Sequence, residues 1–571
     1  MLSRDEQLAS LGRPLDVLVI GGGITGAGVA LDAVTRGYRV GLVEQADFVS
    51  GTSSRSTKLI HGGIRYLARG ELKLVGEALR ERTRLLRLAP HLVRPQPFLI
   101  PLYEGLTRPL GVAVAASLRP AVPWGVRAAL WAYDRLARMP TMRHRRLTVE
   151  DAVSLVPALS TTGLRAAFLF YDARTDDVRL TLGVLALARQ FGAATANYAQ
   201  VRSLAYAQNR VAGARVEDRL TSRTLDVRAR HVVNATGVWA ERVAAMDGAP
   251  PFRIRPSKGA HLVLRGEVLP AETAVVIPQT DDGRLAFLVP WSGRVILGTT
   301  DDRYDGGLDT AAASEADVTF LLRQANRVLR QQIDVSDVLG IYAGLRPLVE
   351  GGGSSGDLPR EHAVVESAGG LVSIVGGKLT SYRKMAEDTV DLLAQRDGGH
   401  RACRTRTLPL ASAEDLGAAQ QALARSGLSN AVQQHLLAAY GPAATDVAAI
   451  AGGDPAGRVP LVEDLPVLAA EVVYACRHEM ALTLADMMFL RTRLSILCED
   501  GSGGIARKNY DSGKHGRLWS MENVPLCVPC EAQLFHNQRR LPSLPGLPRL
   551  PRLQDHVARW WPHACRLGRT W

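Results

Sequence analysis

The sequence predicts an α/β protein of several domains: an open sheet begun near the N-terminus, a mixed α+β region interleaved with it, and a helical C-terminal domain. Three observations carry this. An apolar, β-rich run at residues 17–20 meets a cluster of glycines and passes into helical spacing through Ala27, Leu31 and Val34. Across residues 148–347, short strand-like runs (AAFLF, RHVVNATG, AHLVL, LAFLVP, RVILGTT) alternate with turn residues, and this region is expected to return to the first sheet. Beyond about residue 401, stretches such as QQALARSGLSNAVQQHLLAAYG carry helical periodicity.

The opening residues, MLSRDEQLASLGRPL, are mixed in charge and lack the basic start, apolar middle and small-residue cleavage site of a secretory signal, so a cytoplasmic location is expected. Residues 21–26, Gly-Gly-Gly-Ile-Thr-Gly, then fit G-x-G-x-x-G directly between a strand and a helix. That is the pattern of a dinucleotide-binding turn: Gly21 allows the tight turn, Gly23 lets backbone approach a pyrophosphate, and Gly26 permits close helix packing. The helix N-terminus offers its N–H groups to the anion. A second apolar run ends at Glu44, placed to accept hydrogen bonds from ribose hydroxyls. FAD and NAD both remain open at this point.

Next comes GTSSRSTKLIHGGIRYL, residues 51–67, too polar for a core, with Arg55, Lys58, Arg65 and His61 set among Gly, Ser and Thr. ELKLVGEALRERTRLLRL, residues 71–88, has helical period. Beyond residue 503 the character changes: seven prolines, four of the eight tryptophans and repeated LPxL spacing, with no amphipathic period.

Composition bounds the function. A chain of 571 residues that is 46% hydrophobic and 22% charged can bury two or three cores, and no apolar run is long enough to span a bilayer. Six cysteines, none before Cys403, make no disulfide framework. The net charge of +13 is concentrated at the end, where the last 69 residues carry 11 Lys+Arg against 4 Asp+Glu, so a nucleic-acid partner is not expected. No metal is expected either. Asp301 and Asp302 have no third ligand at useful spacing and read as turn or cap residues, and the CVPC pair, Cys527 and Cys530, lacks a second pair.

Five stretches in order, VIGGGITGAG, GTSSRSTKLIHGGIRYL, NATGVWA, GLRPL and IVGGKLTSYRKMAE, together resemble the FAD-dependent glycerol-3-phosphate dehydrogenases, within the broader flavin amine and hydroxyl oxidases. The likeness covers residues 14–502. It implies a Rossmann-like FAD-binding domain built from residues 14–75, 175–250 and 348–395, a substrate (cap) domain from 76–174 and 251–347, and a helical domain at 400–502. The activity it implies is oxidation of sn-glycerol 3-phosphate to dihydroxyacetone phosphate, with electrons passing through FAD to a membrane quinone. A glycerol-3-phosphate oxidase using O2 is the near alternative, and an amine or amino-acid oxidase of the same fold the further one.

The resemblance also implies site residues. FAD would be held by Gly21, Gly22, Gly23, Ile24, Thr25, Gly26 and Glu44, then by Gly51, Thr52, Ser53, Ser54, Ser56, His61, Gly62 and Gly63. The remaining FAD positions are Ala235, Thr236 and Gly237 of NATG, and Gly376, Gly377 and Lys378. The phosphate-bearing substrate would meet Arg65, Tyr66, Arg346, Arg360, Lys378 and Thr380, guanidinium and ammonium being the groups that best hold a phosphate dianion. His261 is the candidate to take the hydroxyl proton, with Arg346 beside it in the catalytic set and His61 as competitor.

An enzyme that reduces a quinone must reach the bilayer, so peripheral association with the inner face of the cytoplasmic membrane is expected. Residues 110–147 are the candidate contact, with Trp124 and Trp131 suited to the interface and Arg143, Arg145 and Arg146 to anionic headgroups. A cap-domain helix pair with a solvated basic end explains the same stretch. The oligomeric state stays open, a homodimer among the options. Residues 503–571 depart from the family pattern and are expected to be poorly ordered, the abrupt change of composition favouring a disrupted coding frame over a divergent extension.

Overall fold

Strand Leu15–Ile20 is buried almost throughout, as a strand covered by helices on both faces must be. It pairs in parallel with Val40–Val43 on one side and Thr224–Asn234 on the other. Ala194–Ala196 extends the sheet beyond the first of these and Val372–Gly376 beyond the second, both parallel, and His362–Glu366 closes that edge antiparallel. Because the chain leaves Leu15–Ile20 first to one side and later to the other, a crevice opens at the C-terminal ends of the central strands. Helix Ile24–Thr35, buried at every position except Thr25, lies over the sheet against helices Asp177–Gln190 and Tyr382–Arg396.

This computed structural model describes residues 2–67, 70–139, 142–350, 362–399 and 401–498. The described residues up to Ser412 form one compact unit, and those from Ala413 to Cys498 a second.

Among the described residues, the second sheet of the larger unit has ten strands. Ile254–Arg265 lies between Arg294–Gly298 and the long strand Val338–Val349, antiparallel to both, while Val93–Tyr103 and Leu164–Thr175 pair antiparallel at the other end. Leu99, Leu262, Leu288, Leu297 and Leu321 are among the buried residues of its core. Of the middle region expected to rejoin the first sheet, the strands between 194 and 234 do so, whereas all those from 254 to 349 belong to the second. The two sheets therefore alternate along the chain, and side chains from both reach the crevice.

In the C-terminal unit, helices Ala413–Ala424, Asn430–Tyr440, Ala444–Gly453 and Ala469–His478 bury Leu423, Leu436, Val447 and Tyr474. Glu471, buried among them, accepts bonds from the Tyr440 hydroxyl at 2.9 Å and the Leu468 N–H at 2.8 Å. Paired in this way, a buried carboxylate fixes helix register instead of costing stability.

Candidate active site

The glycine turn is sterically compulsory. Gly21 has φ +112°, and a Cβ there would lie 2.6 Å from the carbonyl oxygen of Ala235; one on Gly26 would lie 1.9 Å from that of Gly21. Gly23 caps the helix without any side-chain acceptor of its own, and Ser53 Oγ accepts from the Ile24 N–H at 3.0 Å. Beside it, the Glu44 carboxylate accepts from the Gly22 N–H at 2.6 Å and the Ala46 N–H at 3.0 Å.

These groups border a cavity of about 420 Å³. Its wall holds Gly21, Gly23, Ile24, Thr25 and Glu44 from the turn and strand end, and Gly51, Thr52, Ser53, Ser56, His61 and Gly63 from the following loop. It continues through Ala235, Thr236 and Gly237, and then Gly376, Gly377, Lys378 and Thr380. Four expected residues stand back from it. Gly22 and Gly26 are enclosed behind the turn, Gly62 packs under Leu79 and Tyr133, and Ser54 is buried with its hydroxyl on the Gly51 carbonyl at 3.1 Å. Their small size shapes the backbone while their side positions face inward.

The cationic residues reach the same cavity from both sheets. Lys378 sits over the ring of Tyr66, 4.0 Å from its centroid, next to Arg65. Arg346, on Val338–Val349, donates from Nη1 to Asp301 Oδ1 at 3.0 Å and from Nη2 to Thr299 Oγ1 at 3.0 Å. Asp301, expected as a turn residue, is thus the carboxylate that aims this guanidinium, and it lines the cavity itself. Thr380 is buried, its Oγ1 accepting from the His61 N–H at 3.1 Å and donating to its carbonyl at 3.2 Å. Arg360 falls outside the described residues.

His261 occupies the deep wall. It is 2% exposed, stacks on Tyr342 with centroids 4.8 Å apart, and shares a 2.8 Å hydrogen bond between Nε2 and Thr57 Oγ1. Burial first, then the charges of Arg346 and Lys58, hold its pKa well below the usual imidazole value. The ring is neutral at pH 7 and able to accept a proton.

Residues 16–383 match the model of the FAD dependent oxidoreductase family, and residues 403–519 that of the C-terminal domain of alpha-glycerophosphate oxidase. The chain is 39% identical over 526 residues to the mitochondrial glycerol-3-phosphate dehydrogenase of Mesocricetus auratus, covering 87% of this chain and 70% of that one. It is 39% identical over 492 residues to glycerol-3-phosphate dehydrogenase 2 of Mycobacterium bovis, covering 84% and 81%. The crystal structure of the glycerol-3-phosphate dehydrogenase from Bacillus halodurans complexed with FAD superposes with a TM-score of 0.70 at 31% identity, covering 89% and 91%.

The chain belongs to the FAD-dependent glycerol-3-phosphate dehydrogenase family.

FAD is the family's cofactor, and the residues present fit it: a helix N-terminus whose cap residue, Gly23, has no side chain, a turn that tolerates no Cβ, and a cavity continuing from that turn to the cations. The C-terminal family match also runs to residue 519, past the change of composition at 503, so the likeness extends further than the motifs alone carry it. The CVPC pair and the rest of the tail lie outside the described residues.

Sequence reading gave no site role to Arg55, seen only as a cation, and missed Arg284, both of which line the cavity, as well as the contacts of Thr57, Lys58 and Tyr342 around His261. Arg284 begins a strand-like run with no motif to mark it. Lys58 was visible as a cation, but nothing local to it announces full burial.

Proposed function

We propose that this dehydrogenase oxidises sn-glycerol 3-phosphate to dihydroxyacetone phosphate and delivers the electrons to a membrane quinone. The observation carrying the substrate is that Arg65, Arg346 and Lys378 line one cavity with the buried, neutral His261 and the glycine turn. Several cations suit a phosphate dianion, whereas an amino-acid carboxylate asks for one guanidinium. In this reading Arg346, steadied by Asp301, and Lys378, steadied over Tyr66, bind the phosphate, and His261 takes the hydroxyl proton. The turn at residues 21–26 and Glu44 would hold the pyrophosphate and ribose. FAD, when bound, supplies the acceptor for the hydride leaving the alcohol carbon.

Mixing the yellow protein with sn-glycerol 3-phosphate without oxygen is expected to bleach the flavin absorbance, and amines or amino acids are expected not to. Bleaching by an amine alone would remove this reading. Turnover with a soluble quinone and no peroxide separates the dehydrogenase from the oxidase, which forms peroxide with each product.

A membrane contact is part of the same proposal. Helix Val122–Ala137 buries Val126, Leu130, Tyr133 and Ala137 and turns Trp124, Arg127, Trp131 and Arg135 outward at helical spacing. Trp124 is 65% and Trp131 56% exposed, with Arg127 and Arg135 against their rings. At the helix end, Arg138 joins Arg80, Arg84 and Arg87 around a surface groove. Apolar rings beside cations suit an anionic bilayer surface. Among the described residues, no helix is long and apolar enough to cross a membrane. Sedimentation with phosphatidylglycerol vesicles is expected for the native protein and lost in Trp124→Ser/Trp131→Ser; native protein left in solution overturns this part.

A further inference from the structure

Beneath the candidate active site lies an ion pair that the proposed reaction does not use. Lys58 and Asp177 are both fully enclosed, with Nζ 2.8 and 2.7 Å from the two carboxylate oxygens. A third donor goes to the Ser54 carbonyl at 2.7 Å. Desolvation offsets most of what such a pair gains, so stability alone is a weak reason for it.

Its connections lead to His261. Asp177 Oδ2 accepts from both the Ser56 N–H at 3.1 Å and the Ser56 hydroxyl at 2.7 Å, so one carboxylate grips the residues on either side of Thr57. Thr57 Oγ1 is the hydrogen-bond partner of His261 Nε2. The Lys58 ammonium also lies 5.0 Å from the centroid of Tyr342, whose ring stacks on the imidazole and whose hydroxyl donates to the Ser56 carbonyl at 2.9 Å.

We propose that the Lys58–Asp177 pair is a positioning device for His261, fixing the loop so that the Thr57 hydroxyl stays on the imidazole and the ring stays enclosed against Tyr342. The charged and titratable groups around His261 are Lys58 from the loop, and Tyr342 and Arg346 from strand Val338–Val349. Asp177, from helix Asp177–Gln190, meets Lys58 and the loop, and Asp301 meets Arg346. The proposal rests on the reading of His261 as the proton acceptor, and the test separates the two.

In holoenzyme carrying 15N-histidine, the His261 ring signal, assigned by its loss in His261→Asn, is expected to remain that of a neutral imidazole where an ordinary imidazole, with its value of 6.5, has gained its proton. In Lys58→Met/Asp177→Asn, which frees the loop and lets water reach the ring, its titration is expected to rise by about one pH unit or more, and in Lys58→Arg to stay as in the native protein. The acid limb of kcat/KM for sn-glycerol 3-phosphate should move with it. A native His261 that titrates near 6.5, or one indifferent to the double substitution, overturns the proposal. A ring signal that moves while the acid limb stays put leaves the positioning role intact and removes His261 as proton acceptor. Should the double variant not fold, Thr57→Val tests the same device without touching the ion pair. Its expected result is kcat lowered about tenfold with KM within about twofold, and a native kcat there overturns the proposal.

Discussion

Arg346 and Asp301 show at the level of single residues what separates a cation from a binding group. A guanidinium on a strand is free to sweep through several rotamers, and ordering it costs up to about 2 kcal/mol of side-chain entropy. Here the fork is held on one side by Asp301 and Thr299, so little of that cost falls on substrate binding. Asp301→Asn is therefore expected to raise KM for sn-glycerol 3-phosphate about tenfold while the flavin-to-protein ratio stays native, measured by steady-state kinetics beside the flavin spectrum. An unchanged KM would mean that Arg346 is oriented without its partner. At this scale the sequence was partly legible. Arg346, Lys378 and His261 could be picked out because short motifs surround them, yet Asp301 read as a turn residue. Its meaning depends on Arg346, 45 positions away, and no local pattern encodes that distance.

At the scale of elements, the strand, glycine turn and helix of residues 15–35 were the most legible part, because each glycine answers a steric demand within a few residues. Gly26 makes the point sharply: the helix starts so close to the turn that a single methyl group would overlap a carbonyl oxygen. Gly26→Ala is expected to give protein without bound flavin, read from the absorbance ratio after purification; full flavin content would show that the turn can relax. The second sheet was far less legible. Its strand-like runs were visible one by one, but their partners were not, since Ile254–Arg265 pairs with Val338–Val349 across a long excursion of chain. Period and turn residues specify strands; long-range packing specifies which sheet they join.

For the whole molecule, pH reports on histidines that the fold disfavours charging, His91 and His261 most strongly and His478 with them. Burial, with Arg94 beside it, pushes the pKa of His91 down to about 4 from its ordinary 6.5, and His261 is held low as well. The unfolded chain therefore binds protons first as pH falls, and stability contributed by these rings is present above about 6.5 and lost progressively toward pH 4. The Tm of the holoenzyme is expected to drop across that interval, and His91→Asn to flatten part of the drop; a variant with the native slope would assign the loss to other groups. The alternation of the two sheets along the chain also bears on biosynthesis. His61 reaches Thr380 across 319 positions, and strand Leu15–Ile20 waits for Val372–Gly376 to be made before its sheet is finished. A growing chain on the ribosome thus carries the glycine turn long before it carries the far wall of the pocket. Cofactor capture becomes a late event, and until then an apolar strand edge depends on chaperones or on speed of synthesis to stay out of aggregates.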